Sequence, residues 1–81
     1  MPVTSVACKQ SIVDWLRVPP LTQEQIDDAR DVANWELTST VAEGGNIVRE
    51  FDCRKSDDTL RGYVYSDISD CRIVEVCIQE D

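Results

Sequence analysis

The sequence predicts an α+β fold, in which two N-terminal helices pack on one face of a three- or four-stranded antiparallel meander. The first third of the chain combines helical spacing of apolar residues with a strong helix-start signal. The remainder alternates apolar and polar residues between short loops that contain glycine or aspartate. Because the chain has only 81 residues, we assign residues 1–81 to a single small acidic domain.

The first helix is predicted from about Ser5 to Arg17. Its apolar stripe comprises Ile12, Val13, Trp15 and Leu16, with Cys8 one turn earlier. The prolines at positions 19 and 20 end it, because proline lacks an N–H and disfavours a helical conformation in the residue before it.

The second helix has the clearest start signal. Thr22 is a good N-cap and Gln25 follows three residues later, which is the spacing of a capping box. Leu21 and Ile26 have the spacing of a hydrophobic staple around that cap. One side of this helix is predicted to be an acidic face that carries Glu24, Asp27, Asp28 and Asp31.

The end of the second helix has two interpretations. The helix ends near Asn34 and a strand begins at Trp35, or it continues to Glu43 and is capped by the glycines at 44 and 45. The run 38–40, Thr-Ser-Thr, is a poor helix interior and suits a strand, so we favour the strand.

Loop lengths set the predicted strand register. A three-residue loop at 43–45 gives the pairs Trp35–Cys53, Leu37–Phe51 and Val41–Ile47. A loop at 55–58 and another around 67–71 give the pairs Cys53–Leu60, Phe51–Gly62, Val64–Val74 and Leu60–Ile78. The predicted core face comprises Trp35, Leu37, Val41, Ile47, Phe51, Cys53, Leu60, Val64, Val74, Val76 and Ile78, with Arg49 at its rim. The opposite face comprises Glu36, Thr38, Thr40, Val48, Glu50, Asp52, Arg54, Arg61, Tyr63, Tyr65, Ile73, Glu75 and Cys77.

Composition excludes several classes of function. The chain has 16 acidic and 8 basic residues and no histidine, for a net charge of −8. This charge argues against direct binding of nucleic acid, and the lack of histidine excludes a histidine-based triad or metal site. We find no signal peptide, membrane span, nucleotide-binding loop or zinc knuckle, so we expect a cytoplasmic protein without cofactor or metal.

The chain has four cysteines, and an even number of cysteines in a short chain is compatible with disulfide bonds. Without a secretory signal we favour buried free thiols, with a bridge from Cys53 to Cys71 or Cys77 as the alternative. A cysteine nucleophile has no histidine base, and the carboxylate pairs lie at predicted surface positions where nothing raises a pKa. We therefore predict no catalytic residue and no enzyme, and rank a small thiol- or carboxylate-dependent enzyme last.

Two surfaces are candidates for binding a partner. The first is the acidic helix face, whose row of carboxylates is suited to occupying a basic groove built for nucleic acid. The second is the open side of the sheet, where tyrosines stand among acids, as is typical of protein interfaces. Its candidate residues are Glu36, Glu50, Asp52, Tyr63, Tyr65 and Glu75. Both patterns also have ordinary explanations, a solvated helix face and cross-strand packing. A homodimer through the sheet face or an edge strand is a further alternative.

The leading hypothesis is a non-enzymatic inhibitor or adaptor that binds the basic, nucleic-acid-binding surface of a larger protein. The alternative is an immunity- or antitoxin-like protein that recognises one toxin through the sheet face. No run of residues matches a family signature. In size, acidity and fold class the chain is similar to immunity proteins and to phage inhibitors of host nucleases, including anti-CRISPR proteins, and this likeness is one of class and composition.

Overall fold

The computed structural model describes residues 5–54 and 60–80. The chain forms helix α1 (Ser5–Trp15), helix α2 (Gln23–Ala29), a 3₁₀ helix (Val32–Asn34) and strands β1 (Trp35–Glu43), β2 (Asn46–Cys53), β3 (Leu60–Asp67) and β4 (Ile73–Glu80). The strands form one antiparallel sheet in the order β1-β2-β3-β4. The α+β class and the antiparallel meander are confirmed, and the sheet has four strands. The predicted loop at 55–58 lies outside the described residues.

Helix α1 ends at Trp15, two residues before the predicted end. The guanidinium of Arg17 donates from Nη1 to the carbonyl oxygens of Asp14 at 2.6 Å and Leu16 at 2.7 Å. The N–H of Leu16 donates to the carbonyl of Val13 at 3.3 Å, which tightens the last turn. Arg17 therefore satisfies backbone acceptors at the helix end instead of extending the helix.

The core joins both helices to the sheet. Cys8 and Ile12 of α1, and Leu16 just after it, are buried together with Ile26 and Ala29 of α2 and with residues of β1, β2 and β3. Helix α1 contacts β3 and β4, whereas the main contacts of α2 are with the 3₁₀ helix. A Cβ atom at Gly62 would lie 2.9 Å from Ile12 Cδ1, so glycine on β3 allows α1 to approach the sheet closely.

The start of α2 is as predicted. Thr22 Oγ1 accepts from the Gln25 N–H at 3.1 Å, and Gln25 Oε1 accepts from the Thr22 N–H at 2.8 Å, which completes the capping box. Leu21 and Ile26, the predicted staple residues, are both buried. Short-range signals therefore determine where this helix begins.

The end of α2 depends on two side chains that follow it. Trp35 Nε1 donates to the carbonyl of Ala29 at 2.8 Å, and Asn34 Nδ2 donates to the carbonyl of Asp28 at 2.7 Å. These bonds satisfy acceptors that a continuing helix would otherwise use. The favoured interpretation, with a strand from Trp35, is confirmed, and the helix itself ends at Ala29, five residues before Asn34.

The predicted register of the first hairpin is correct at its open end and wrong at its turn. Trp35 pairs with Cys53 and Leu37 with Phe51, but Val41 pairs with Val48 instead of Ile47. The loop has two residues, the glycines at 44 and 45, both with positive φ. Because the loop is one residue shorter than predicted, β1 has one extra residue. A β-bulge between Leu37 and Ser39 accommodates that residue.

The last hairpin also departs from the predicted register. Val64 pairs with Val76 instead of Val74, and Leu60 pairs with Glu80 instead of Ile78. The turn closes one residue further along β4 than expected, since Ser66 pairs with Ile73 and the Asp67 N–H donates to the carbonyl of Arg72 at 2.8 Å. A second irregularity between Tyr65 and Ser66 leaves Val74 without a partner in the ladder.

These shifts change which residues face the core. Val41 and Val74, predicted in the core, are 51% and 55% exposed, and Leu37 on the edge strand is 40% exposed. Thr40, predicted on the opposite face, pairs with Arg49, and Ile73 packs against the core. Shifting a strand by one residue moves each side chain to the other face. This shift explains why Val41 lies on the open side and Thr40 on the core side, the reverse of the prediction.

Arg49 lies on the core side of β2 and is half-buried instead of standing at the rim. Its Nη1 has no hydrogen-bond partner in the described structure, and the guanidinium lies beside the Cys8 thiol. Burial raises the pKa of Cys8, and the charge of Arg49 opposes that rise.

Candidate functional site

The first candidate surface is the acidic segment, which comprises Glu24, Asp27, Asp28 and Asp31. Glu24 and Asp27 are exposed on α2, and Asp28 is half-buried on the same helix. Asp31 lies beyond the helix, because α2 ends at Ala29. The predicted helix face is therefore wrong for Asp31, which belongs to the following turn.

Local hydrogen bonds hold two of these carboxylates. Asp31 Oδ1 accepts from the Ala33 N–H at 3.0 Å and so caps the 3₁₀ helix. Asp27 Oδ1 accepts from Gln23 Nε2 at 3.0 Å, one turn earlier on α2. Within the part of the chain that the structure describes, no carboxylate of the acidic segment forms an ion pair. Its negative charge is therefore not neutralised by contact with a cation.

The second candidate surface is the open sheet face, on which the structure brings all six predicted residues together. Cross-strand pairs place Glu36 beside Asp52, Glu50 beside Tyr63, and Tyr65 beside Glu75. Alternation along each strand puts these pairs on the side opposite Phe51 and Val64. The full set is Glu36, Glu50, Asp52, Tyr63, Tyr65 and Glu75.

Arginines neutralise the acids at one end of this face. Arg61 Nε lies 3.0 Å from Glu50 Oε1 and 3.1 Å from Asp52 Oδ1. Arg54 Nη2 lies 2.8 Å from Glu36 Oε1, and its Nε donates to the other oxygen at 3.0 Å. The hydrogen bond from Arg54, followed by its charge, lowers the pKa of Glu36.

Sequence reasoning placed Arg61 on this face but missed its bridging role. The signal was present, since the predicted pairs Cys53–Leu60 and Phe51–Gly62 put Arg61 directly opposite Asp52. Opposite charges that face each other across antiparallel strands are a favourable pair. Three of the six predicted partner-binding residues, Glu36, Glu50 and Asp52, are therefore already paired within the chain.

The other end of the open sheet face is apolar, aromatic and acidic. Val41 of β1, Val48 of β2, Tyr65 of β3 and Glu75 of β4 form one cross-strand row. Glu43, two residues after Val41, lies on the same face. We call these five residues the Tyr65 patch. Burial, and then the charges of neighbours that include Glu43 and Glu75, raise the pKa of Tyr65.

All four cysteines are free thiols, as favoured from the sequence. Cys8 and Cys53 are buried as expected, whereas Cys71 and Cys77 are half-exposed. Cys77 Sγ donates to Glu75 Oε1 at 3.4 Å; burial, followed by this bond, raises the pKa of the thiol.

Among the described residues, no group of three or more Cys, Asp and Glu side chains could hold a metal ion.

Within residues 5–54 and 60–80, no helix is long and apolar enough to cross a membrane. Comparisons of the chain with protein families, with curated proteins and with solved structures find no match.

Proposed function

We propose that this protein is a non-enzymatic inhibitor or adaptor of the cytoplasm that binds the basic, nucleic-acid-binding surface of a larger protein. The observation that carries the proposal is the acidic segment, whose carboxylates form no ion pair in the described structure. A groove that binds nucleic acid is lined by basic residues that contact phosphates. Carboxylates without ion pairs on an exposed helix and turn carry the same negative charge and can occupy such a groove.

Net charge supports the same partner class. A chain with charge −8 is repelled by nucleic acid and attracted to surfaces rich in lysine and arginine. Complementary charge speeds association and sharpens specificity more than it raises affinity. Because the carboxylates are exposed, binding should weaken as salt concentration rises.

We propose further that both helices cover one side of the sheet and leave the other side open. The close approach of Ile12 to Gly62 supports this placement for α1. The burial of Ile26 and Ala29 in the same core as Phe51 supports it for α2. In this arrangement the acidic segment and the open sheet face are both accessible to partners.

The test is affinity capture from a lysate of the source cells at low and high salt, with mass spectrometry of the captured proteins. Binding of the purified partner is then measured in the presence and absence of DNA or RNA. We expect nucleic acid to displace the protein, because both ligands occupy one basic surface. A partner whose binding is indifferent to nucleic acid would contradict the proposal.

A matched pair of variants separates the acidic segment from bulk charge. Asp27 and Asp14 are both exposed helical aspartates that accept a hydrogen bond from a glutamine four residues earlier. Asp27→Lys and Asp14→Lys therefore change the net charge equally in similar local settings. We expect Asp27→Lys to weaken partner binding about tenfold and Asp14→Lys to change it little. Equal losses would indicate that only net charge matters.

The second candidate function is an immunity- or antitoxin-like protein that binds through the open sheet face. The observation in its favour is the pair Tyr63 and Tyr65, both half-exposed on β3 in the middle of that face. Tyrosine is enriched among residues that dominate interface energies. If this second function is correct, the double variant Tyr63→Ala with Tyr65→Ala should abolish partner binding, and Asp27→Lys should leave it nearly intact. The first proposal expects the opposite result for these variants.

A further inference from the structure

The carboxylates of the Tyr65 patch differ from Glu36, Glu50 and Asp52 in forming no ion pair within the part of the chain that the structure describes. Strands β1 to β4 contain two cations, Arg61, which bridges Glu50 and Asp52, and Arg49, which lies on the core side. Neither Glu43 nor Glu75 forms an ion pair in the described part of the chain. The patch therefore combines an aromatic ring, two valines and two carboxylates that no described cation pairs with.

Apolar and aromatic surface dominates the middle of the patch. Val41 is 51% exposed on the edge strand, although sequence alternation predicted it in the core. Val48 and Tyr65, its neighbours across β2 and β3, are half-buried. The β-bulge in β1 is what brings Val41 to this side. A partly exposed apolar and aromatic row flanked by charge is typical of an interaction site.

Charge limits what can occupy this patch. A second copy would bring its own Glu43 and Glu75 against these carboxylates, in a dimer whose subunits each carry −8. Nucleic acid is repelled for the same reason. A cationic protein surface is attracted, and the chemistry of the patch distinguishes arginine from lysine. The planar guanidinium stacks on a tyrosine ring and forms two parallel hydrogen bonds to a carboxylate, which an ammonium cannot do.

We infer that the Tyr65 patch binds arginine side chains on the surface of a protein partner, with the guanidinium stacked on Tyr65 and paired with Glu43 or Glu75. Val41 and Val48 contact the aliphatic part of the arginine or apolar neighbours on the partner. Arginine-rich surfaces are typical of proteins that bind nucleic acid, so this inference rests on the proposed function and adds to it a second contact with arginine specificity.

The inference is tested on the isolated protein with two peptides of equal charge, nona-arginine and nona-lysine. Backbone amide shifts are followed by NMR during titration with each peptide at low salt. We expect nona-arginine to bind at least about threefold more tightly and to shift Val41, Val48, Tyr65 and Glu75. Equal affinities, or shifts confined to the acidic segment, would overturn the inference.

Variants locate the source of the arginine preference. Tyr65→Leu keeps an apolar side chain but removes the ring, and should bring the affinity ratio of the two peptides close to one. Glu75→Gln should weaken nona-arginine binding several-fold, whereas Glu36→Gln removes the same charge from a carboxylate already paired with Arg54 and should have less effect. An unchanged ratio in Tyr65→Leu would count against stacking, and equal effects of the two glutamate variants would count against pairing.

The two proposals fail in different ways. If the partner captured from cells does not compete with nucleic acid, the proposed function is wrong whatever the peptides do. If that competition is seen but neither peptide distinguishes arginine from lysine, the proposed function stands and the Tyr65 patch is not an arginine site.

Discussion

The acidic segment and the open sheet face contain the same kind of side chain in opposite electrostatic states. On the acidic segment, Asp27 and Asp31 accept hydrogen bonds from neutral local groups and form no ion pair with any described residue. On the sheet face, Arg61 alone holds both Glu50 and Asp52. The difference arises because β-pairing brings a distant arginine opposite two acids, whereas a short helix and turn bring only near neighbours together.

This comparison shows that the number of acidic residues on a surface does not measure the charge offered to a partner. The open sheet face carries several acidic residues, but three of them, Glu36, Glu50 and Asp52, are already paired with arginines of the same chain. Among the described residues, the carboxylates of the acidic segment and of the Tyr65 patch form no ion pair, so these two regions should contribute to the attraction of a basic partner.

The largest predicted effect is at Trp35, which connects the two regions. This residue begins β1, is 1% exposed and donates to the last carbonyl of α2. Trp35→Ala should lower the free energy of unfolding by about 3–5 kcal/mol, measured by urea denaturation followed by circular dichroism. Trp35→Phe, which keeps an aromatic ring but leaves the Ala29 carbonyl without its donor, should lose about 1–3 kcal/mol. A loss in Trp35→Ala no larger than in Trp35→Phe would contradict this assignment.

The next effect concerns the start of the acidic segment. Thr22→Ala removes the capping-box acceptor of the Gln25 N–H and should cost about 1 kcal/mol. Hydrogen exchange should show loss of protection in α2 and little change in β2 and β3, since the sheet does not depend on this cap. Thr22→Ser retains the hydroxyl and serves as the control. Similar losses in both variants would argue against the cap as the cause.

A smaller effect is expected on the sheet face. Arg61→Gln releases Glu50 and Asp52, but the arginine side chain is 31% exposed and solvent screens its pairs. Stability should fall by less than about 1 kcal/mol at low salt, and the difference should shrink as salt is added. Arg72→Gln, whose side chain is 78% exposed beside Asp70, should change stability still less. A loss that salt does not reduce would indicate that packing by Arg61 matters more than its charge.

The smallest effect is the titration of Glu36. Its pKa is lowered by the hydrogen bond from Arg54, so any stabilisation is present above the unfolded-state pKa and is lost as pH falls through the folded-state pKa. NMR of the side-chain carboxyl carbon should show a pKa below the ordinary glutamate value. Arg54→Gln should return that pKa towards the ordinary value, and an unchanged pKa in this variant would refute the assigned cause.

Several features of the fold are visible in the sequence because they depend on residues close together in the chain. Thr22 and Gln25 form the predicted capping box, and the glycines at 44 and 45 form the first hairpin turn. The three-residue loop at 43–45 predicts the pairing of Trp35 with Cys53, which is correct because the bulge between Leu37 and Ser39 compensates for the shorter turn. Alternation also placed Tyr63 and Tyr65 together on the open face, with the acids that surround them.

Other features depend on contacts that no local pattern encodes. Alternation alone put Val41 in the core, because a bulge at Leu37–Ser39 leaves no signal in the spacing of apolar residues. Asp31 has helical spacing from Asp27 and Asp28, yet it lies outside α2. Val74 was misplaced because an irregularity between Tyr65 and Ser66 shifts β4 against β3 and leaves Val74 outside the ladder.

The sequence by itself determined the α+β class, the start of α2, the position of the first hairpin turn and the large excess of acid. Only the tertiary structure decided which of those acids are neutralised and which remain free. Arg61 and its two partners belong to different strands, and their contact exists only in one register. Likewise the hydrogen bond from Trp35 to the Ala29 carbonyl exists only where the start of β1 lies against the end of α2. Local steric and hydrogen-bonding preferences act between neighbours in the chain, whereas charge compensation depends on distances that the folded sheet creates.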